Sequence, residues 1–168
     1  MRVLVSAASR HGATEEIARE IAAALAGAGL EPEVVAPDAV TSLGGFDAAV
    51  LGSAIYMGEW MDAARALVER LGPELKGRPV WLFSSGPLGE SGGQDLSEAS
   101  ADQATIAELV AATGAREHRM FAGRNDPREF GLGEKTLLAA VRAPEGDFRP
   151  WVEIREWAAA IAAVVSAG

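Results

Sequence analysis

Short apolar runs alternate with amphipathic helical patterns along the whole chain. The apolar runs have the length and the composition of strands that are buried on both faces. Alternation of strands and helices in this way predicts right-handed βαβ units and a parallel sheet covered by helices on both faces. The sequence therefore predicts an α/β fold, a three-layer sandwich around a five-stranded parallel sheet.

The predicted strand order is 2-1-3-4-5, a doubly wound order that suits five strands. The predicted strands are Arg2–Ala7, Glu33–Ala36, Ala48–Gly52, Pro79–Phe83 and Glu117–Ala122. The predicted helices are Glu15–Ala28, Met61–Leu71, a helix capped by Asp102 that runs through Ala112, Glu134–Val141 and Trp151–Val165. With 168 residues and no repeat or linker, the chain fits one domain over residues 1–168. A ligand is expected beyond the carboxyl ends of the strands, between strands 1 and 3.

The composition excludes several classes of function. The chain has no cysteine, so disulfides, thiolate metal ligands and thiol catalysis are excluded, and its two histidines, His11 and His118, cannot form a His-rich metal site. A net charge of −9 disfavours nucleic acid and is compatible with simple solubility or with a basic protein partner. No membrane-spanning run and no signal-peptide pattern is found, which predicts a cytoplasmic location and leaves peripheral membrane contact open.

A turn rich in hydroxyl groups and glycine separates the first strand from the first helix. Its residues are Ser9, Arg10, His11, Gly12, Ala13 and Thr14. The N–H groups of such a turn and of the helix N-terminus point at one spot and favour an anion such as phosphate. Gly12 lets a ligand approach the backbone, and Ser9 and Thr14 offer hydroxyl donors. Arg10 or His11 could add charge-assisted hydrogen bonds.

This turn differs from two familiar phosphate-binding patterns. It lacks the three glycines of GxGxxG, and no GK[ST] follows it. A structural interpretation also stays open, in which Thr14 only caps the helix and Gly12 only forms a tight turn.

Two further loops are expected at the same edge of the sheet. After the third strand come Ser53, Ala54, Ile55, Tyr56, Met57 and Gly58, and after the fourth come Ser84, Ser85, Gly86 and Pro87. Together with the turn Ser9–Thr14, called the phosphate turn below, they suit a ligand with a phosphate at one end and a planar ring at the other. An aromatic side chain that stacks on such a ring gains about 0.5–1.5 kcal/mol. Trp60 either contributes to stacking or packs the next helix onto the sheet, whereas Trp81 is expected in the core.

The three loops resemble those of the flavodoxin family. Ser9–Thr14, followed by Glu15-Glu16-Ile17-Ala18, is similar to the flavodoxin loop that binds the FMN phosphate. The family usually has hydroxyl residues at the positions of Ser9, His11 and Thr14, so the imidazole N–H of His11 would substitute for the middle one. The resemblance implies a flavodoxin-like fold with FMN as its cofactor.

The other two loops carry the same resemblance. Leu51-Gly52-Ser53 with Tyr56-Met57-Gly58 resembles the loop that packs on one face of the flavin ring. Ser84-Ser85-Gly86 resembles the loop that covers the pyrimidine side of the flavin. The loop after the third strand, residues 53–60, is called the ring loop below. A carboxylate in it, such as Glu59, would disfavour extra negative charge on the reduced flavin.

Within the family, parts of the chain look like the menaquinone-dependent protoporphyrinogen oxidases, which have a helical insertion after strand 5. These parts are Gly52–Gly58, the helical piece Glu134–Val141, and Glu145-Gly146-Asp147-Phe148 leading to Trp151 and Trp157-Ala158. The insertion here is short. Its positive charges are offset by acidic neighbours: Arg124, Arg128, Lys135 and Arg142 against Asp126, Glu129 and Glu134.

The resemblance implies an FMN-binding redox protein that exchanges electrons with a redox protein or a quinone. The alternatives are a flavoenzyme of the protoporphyrinogen oxidase or quinone reductase type, and a flavin-free interaction module on the same fold. A flavin performs the chemistry itself, so no catalytic side chain is predicted. One compact phosphate site favours FMN over FAD or NAD. The stretch Gly86–Ala101 is expected to be a long loop beside the ring with a mobile middle, either a docking element or an insertion without a role.

Overall fold

The computed structural model of the chain describes residues 1–86, 103–140 and 145–168. The strands are β1 (Arg2–Ala8), β2 (Glu31–Val34), β3 (Ala48–Tyr56), β4 (Glu59–Trp60), β5 (Val80–Gly86), β6 (Glu117–Ala122), β7 (Arg124–Asn125) and β8 (Gly146–Asp147). The helices are α1 (Ala13–Gly27), α2 (Asp62–Lys76), α3 (Gln103–Thr113), α4 (Leu132–Ala140) and α5 (Trp151–Ala167). Short 3-10 helices cover Pro37–Ala39 and Pro127–Glu129.

The central sheet has the order β2-β1-β3-β5-β6, and its neighbouring strands are parallel. Counted among themselves, these parallel strands stand in the order 2-1-3-4-5, which confirms the prediction from the sequence. Strand β4 adds a short antiparallel pairing to β3. Strands β7 and β8 form a separate two-stranded pair.

Two hydrophobic clusters lie on opposite faces of the sheet, because successive residues of a strand point to opposite faces. Val3 and Val5 of β1 pack toward α1 and α5, and Leu4 packs toward α2 and α3. The helices bury apolar stripes: Ile17, Ile21 and Leu25 on α1, Ala64, Leu67 and Val68 on α2, and Ile154, Trp157, Ala158, Ile161 and Val165 on α5. Trp81 is also buried, as predicted.

Strands β3 and β5 are longer than the sequence predicts. The third strand was expected to end at Gly52 and ends at Tyr56, and the fourth was expected to end at Phe83 and ends at Gly86. The residues expected in two loops, Ser53–Tyr56 and Ser84–Gly86, are therefore strand residues. The reason is pairing: Ser53 and Ala54 continue the parallel register with β5, and Ile55 and Tyr56 pair with β4.

Other predicted bounds also shift. Strand β2 spans Glu31–Val34 rather than Glu33–Ala36, because Glu31 already pairs with Arg2. Helix α1 begins at Ala13 instead of Glu15, and α2 ends at Lys76 instead of Leu71. The predicted cap Asp102, the end of the predicted helix at Val141, the site residue Pro87 and the rest of the predicted long loop up to Ala101 lie outside the described residues.

The stretch between β6 and α5 contains small elements, and its Arg124 and Arg149 contact Glu16 on α1. Arg124 pairs with Asp147 and Asn125 pairs with Gly146 across β7 and β8. The 3-10 helix and α4 lie between these two strands in sequence. This segment, residues 124–149, is called the post-β6 segment below.

Candidate functional site

The sheet register places the carboxyl ends of three strands side by side. Ala8 of β1 pairs with Ser53 of β3, which in turn pairs with Ser84 of β5. The turn after β1, the hairpin after β3 and the end of β5 therefore converge at one edge of the sheet, as the predicted position between the first and third strands requires.

Gly12 forms the N-terminal boundary of α1 in a backbone conformation that suits glycine. Its φ is 82° and its ψ is −13°, in the left-handed region. Apart from its chain neighbours, no described residue has an atom within 4 Å of a Cβ built at Gly12. The space in front of this backbone is open to a ligand.

The first turn of α1 has free hydrogen-bond donors. Gly12 supplies no side-chain cap. The N–H of Thr14 donates to Ser9 Oγ at 3.3 Å. Across residues 1–86, 103–140 and 145–168, no side chain accepts from the N–H of Ala13 or Glu15, and no group bonds the Thr14 hydroxyl. Uncapped N–H groups at a helix N-terminus bind anions, so this turn fits the phosphate group of FMN.

Arg10 connects three parts of the site. Its guanidinium carbon lies 4.6 Å from the centroid of the Tyr56 ring at the end of β3. Its Nε lies 2.9 Å from Oε1 of Glu134 on α4. The turn after β1, the ring loop and the post-β6 segment are thereby joined through one side chain.

His11 is held on two sides by the post-β6 segment. Its Nε2 lies 3.1 Å from the same Oε1 of Glu134. Its ring meets the ring of Phe130 edge to face, with centroids 4.9 Å apart and an interplanar angle of 85°. These two contacts fix the orientation of the imidazole.

Glu134 remains ionised in this environment. Its Oε2 accepts the Gly131 N–H at 3.0 Å, the arrangement of a capping glutamate in the first turn of a helix. Burial opposes the charge, but the Gly131 N–H, the His11 ring and Arg10 outweigh it, and the pKa of Glu134 is lowered. One carboxylate oxygen thus lies close to two basic side chains of the phosphate turn, as the ion-pair partner of Arg10 and the hydrogen-bond partner of His11.

Two arginines of the post-β6 segment fasten the first turn of α1. Arg124 contacts Glu16 at 3.1 Å and Glu129 at 2.7 Å, and its Nη2 donates to the His11 carbonyl at 3.5 Å. The almost fully buried Arg149 contacts Glu16 at 2.5 Å.

Arg149 also binds its own segment. Its Nη2 and Nε donate to the two carboxylate oxygens of Asp147 at 2.6 and 2.8 Å, and its Nη1 donates to the Ala13 carbonyl at 3.3 Å. The hydrogen bond from Arg149 lowers the pKa of both Asp147 and Glu16. The shape of the phosphate turn therefore depends on a segment far from it in sequence.

The ring loop is a two-residue β-hairpin. Tyr56 pairs with Glu59 and Ile55 with Trp60, and the turn residues Met57 and Gly58 have φ values of 52° and 80°. Positive φ at both central residues is the type I′ turn, which matches the twist of the two strands. Tyr56 and Met57 are exposed at this tip.

Trp60 packs in the core instead of lying open to a ligand. Its ring is buried in the cluster with α2, and its Nε1–H donates to Ser84 Oγ at 2.7 Å. Ser84 Oγ also lies 2.8 Å from Nε2 of His118, which is half-buried. Burial lowers the pKa of His118. Of the two interpretations of Trp60, the structure supports the packing role.

The hydroxyls of Ser53 in the second loop and of Ser84 in the third loop bind protein atoms. Ser53 Oγ accepts the Met61 N–H at 2.8 Å and donates to the Ala54 carbonyl. Ser53, Ser84 and Ser85 are buried, and Gly86 is the last residue of β5. These side chains support the backbone of the loops, so a ligand would contact the hairpin chiefly at Tyr56, Met57 and Gly58.

A groove of about 530 Å³ lies along the β7–β8 pair. It is lined by residues 124–128 and 145–147. Hydrogen bonds from Arg128 lower the pKa of Asp126 to about 2. Because Arg124 and Arg128 are already paired with carboxylates, this groove has no surplus of positive charge.

Fold and site together define a flavodoxin-like α/β protein with an anion-binding turn. The chain matches the flavodoxin domain family over residues 4–149. It therefore belongs to the flavodoxin family, and this membership supports a redox role as an FMN-type flavoprotein.

Solved structures share this fold. A cysteine-to-serine mutant of flavodoxin from Pseudomonas aeruginosa has 22% identity and a TM-score of 0.65, with 99% of each chain covered. A flavodoxin from the domain Archaea has 16% identity and a TM-score of 0.66, again over 99% of each chain. Rubredoxin oxygen:oxidoreductase from Desulfovibrio gigas has 16% identity and a TM-score of 0.66, over 99% of this chain and 36% of that one. No curated protein matches the chain in sequence.

Sequence reasoning missed the residues that connect the post-β6 segment to the site. Glu134, Arg124 and Arg149 were interpreted as surface charges or not singled out. The spacing of Gly131 and Glu134 indicates a helix start, but no local pattern pairs Glu134 with His11. Within the described ranges, no cluster of His, Asp or Glu suits a metal ion, and no helix is long and apolar enough to cross a membrane.

Proposed function

We propose that the chain binds FMN and carries electrons through it. The observation that carries this proposal is the open, uncapped N-terminus of α1 at Gly12. It is flanked by the hydroxyls of Ser9 and Thr14 and by the basic side chains of Arg10 and His11. This arrangement suits a phosphate group, and the exposed Tyr56 beside it suits a planar ring.

Different residues would contact different parts of FMN. The N–H groups of the turn Ser9–Thr14 would bind the phosphate, and the hairpin tip Tyr56–Gly58 would pack against the ring. The backbone of Ser84–Gly86 would border the ring on its other side. When bound, FMN supplies one- or two-electron chemistry, and the protein tunes that chemistry through the groups around the ring.

The binding test uses Thr14, because any side chain at Gly12 would be strained whether or not phosphate lies there. Thr14→Val removes the hydroxyl and keeps the shape, whereas Thr14→Ser keeps the hydroxyl. Thr14→Val should weaken FMN binding by about 0.5–2 kcal/mol, and Thr14→Ser should weaken it less. Fluorescence titration of the flavin measures both. Equal FMN affinity in the parent and in Thr14→Val would place the phosphate elsewhere.

Flavin identity follows from the size of the anion site. One compact turn accommodates a monophosphate, so FMN should bind more tightly than FAD, and NAD should not bind here. FAD affinity equal to or greater than FMN affinity would contradict the proposed site. A purified protein with no flavin absorbance, and no FMN uptake on titration, would favour the flavin-free interaction module.

The physiological partner is a redox protein or a quinone. A second candidate function is a flavoenzyme of the protoporphyrinogen oxidase or quinone reductase type. The post-β6 segment favours this candidate, because it adds a groove along β7 and β8 and a helix whose Glu134 contacts the phosphate turn. Turnover of protoporphyrinogen with a quinone by the FMN-loaded protein would establish the enzyme, whereas transfer to a one-electron protein acceptor alone would indicate a carrier.

A further inference from the structure

The contact between His11 and Glu134 determines which nitrogen of His11 carries a hydrogen. An ionised carboxylate only accepts hydrogen bonds, so the Nε2 that lies 3.1 Å from Glu134 Oε1 must be the donor. In a neutral imidazole only one nitrogen carries a hydrogen. The other nitrogen, Nδ1, is then an acceptor.

Nδ1 is the ring nitrogen that remains for an anion bound at the turn, because Nε2 already faces Glu134. In the described part of the chain no group forms a hydrogen bond with Nδ1. A neutral ring would therefore present a lone pair to a phosphate oxygen, whereas an imidazolium donates from both nitrogens.

We propose that His11 takes up a proton when the phosphate of FMN binds, so that an imidazolium bridges Glu134 and the phosphate. The inference rests on the proposed function, because it requires FMN at this turn. Glu134 is a positioning residue in this arrangement: it holds the hydrogen on Nε2 and leaves Nδ1 without one unless the ring is charged.

The groups around the ring make His11 the site of proton uptake. Guanidinium and carboxylate groups ordinarily keep their charge near neutral pH, whereas imidazole ordinarily changes its charge there. The charged groups that face His11, directly or through a shared partner, are Arg10 beside it, Arg124 on β7, Glu16 on α1, Glu129 after β7 and Glu134 on α4.

The test measures proton uptake on ligand binding by calorimetry at about pH 8, in buffers that differ in ionisation enthalpy. At this pH the second phosphate proton of free FMN is largely lost, since such groups titrate near pH 6. The wild type should take up roughly one proton when it binds FMN. Its FMN affinity should therefore fall as the pH rises, by up to about tenfold per pH unit. Riboflavin, which has the same ring and no phosphate, should bind with almost no uptake.

Two variants separate the roles of the pair. His11→Ser keeps a donor that does not titrate, so FMN binding should occur with almost no proton uptake. Glu134→Gln can donate its amide N–H to Nε2, which allows a neutral ring with its hydrogen on Nδ1. Proton uptake should therefore also be lost in Glu134→Gln, although His11 is present.

The outcomes distinguish this inference from the proposed function. The inference is overturned if the wild type binds FMN tightly without proton uptake. It is also overturned if riboflavin binding takes up as many protons as FMN binding. Either result leaves the FMN site intact. Uptake that persists in His11→Ser assigns the proton to another group and also overturns it. If the wild type binds no FMN, the proposed function and the inference both fail.

Discussion

The ring of Phe83 on β5 lies directly against the backbone of Gly52 on β3. The two residues are register partners, and a Cβ built at Gly52 would stand 2.2 Å from Phe83 Cζ. Phe83 is fully buried and packs against the ring of Trp157, with centroids 6.2 Å apart. Because the buried ring packs against Phe121 and Trp157 and occupies the place of a Cβ at position 52, glycine there is a packing requirement of the sheet.

Gly52→Ala should therefore destabilise the protein. Inserting one methyl group into a filled core costs about 1–3 kcal/mol in the free energy of unfolding. Gly27→Ala is the matched control, because nothing lies within 4 Å of its Cβ and it is the last residue of α1. Urea denaturation should show a clear loss for Gly52→Ala and little change or a gain for Gly27→Ala. Equal midpoints for the two variants would contradict the packing argument.

His118 should make the protein less stable in mild acid. Its pKa is lowered in the folded state by burial, so the unfolded chain binds the proton more readily. The stabilisation from the neutral ring is present at high pH and is lost as the pH falls through the unfolded value of about 6.5. The free energy of unfolding should fall less between about pH 7.5 and 5.5 in His118→Gln than in the parent. His11→Gln, a matched change outside the core, should retain the loss due to His118.

Arg149→Met should remove a pH-dependent part of the stability. Arg149 lowers the pKa of Glu16 and Asp147, so their stabilisation is present above the unfolded value of about 4 and is lost as the pH falls below it. Both carboxylates are partly exposed, so we expect Arg149→Met to lower the free energy of unfolding by about 1–3 kcal/mol near neutral pH.

Chemical denaturation at several pH values measures the effect of Arg149. The difference in the free energy of unfolding between Arg149→Met and the parent should shrink as the pH falls from about 5 to 3. Arg155→Met is the control, because the Arg155 to Glu20 pair lies on the surface. A difference for Arg149→Met that does not vary with pH would mean that packing alone accounts for the effect.

Met57→Asn should stabilise the hairpin at the tip of the ring loop. Met57 has a φ of 52° and is 81% exposed, so it bears the strain of a left-handed backbone without burying its side chain. Asn adopts this conformation more readily, and the gain should be about 1 kcal/mol, or roughly 2–4 °C in Tm. Gly58→Ala, at a φ of 80°, should change the Tm in the opposite direction. A lower Tm for Met57→Asn would mean that the methionine side chain makes a stabilising contact.

The sequence predicts the sheet and its helices well because each element has its own pattern of apolar residues within a short segment. The strand Glu117–Ala122 has the predicted bounds, and the helix predicted from Glu15 is present and buries Ile17, Ile21 and Leu25. The ends of β3 and β5 were predicted wrongly, because Ser53 and Ser84 look like loop residues until their strand neighbours are known. The hairpin was missed because Met57-Gly58 lacks the usual Asn-Gly signal.

The site was predictable only where its parts are contiguous in sequence. The turn Ser9–Thr14 has an interpretable pattern because a helix N-terminus and a glycine are local features. The contact of His11 with Glu134 joins polar groups 123 positions apart, and neither hydropathy nor spacing indicates it. The FMN contacts of the site residues and the single domain over residues 1–168 stay predictions.

The bonds from Arg124 and Arg149 to Glu16 have a consequence for the order of folding. They close loops of 108 and 133 residues, so the chain must lose much of its conformational entropy before they form. Strand β1 and helix α1 can pair early with their near neighbours, but the turn between them becomes fixed only when the last third of the chain docks. We expect the protein to acquire its affinity for an anion in the final phase of refolding, after most of its helical signal has returned.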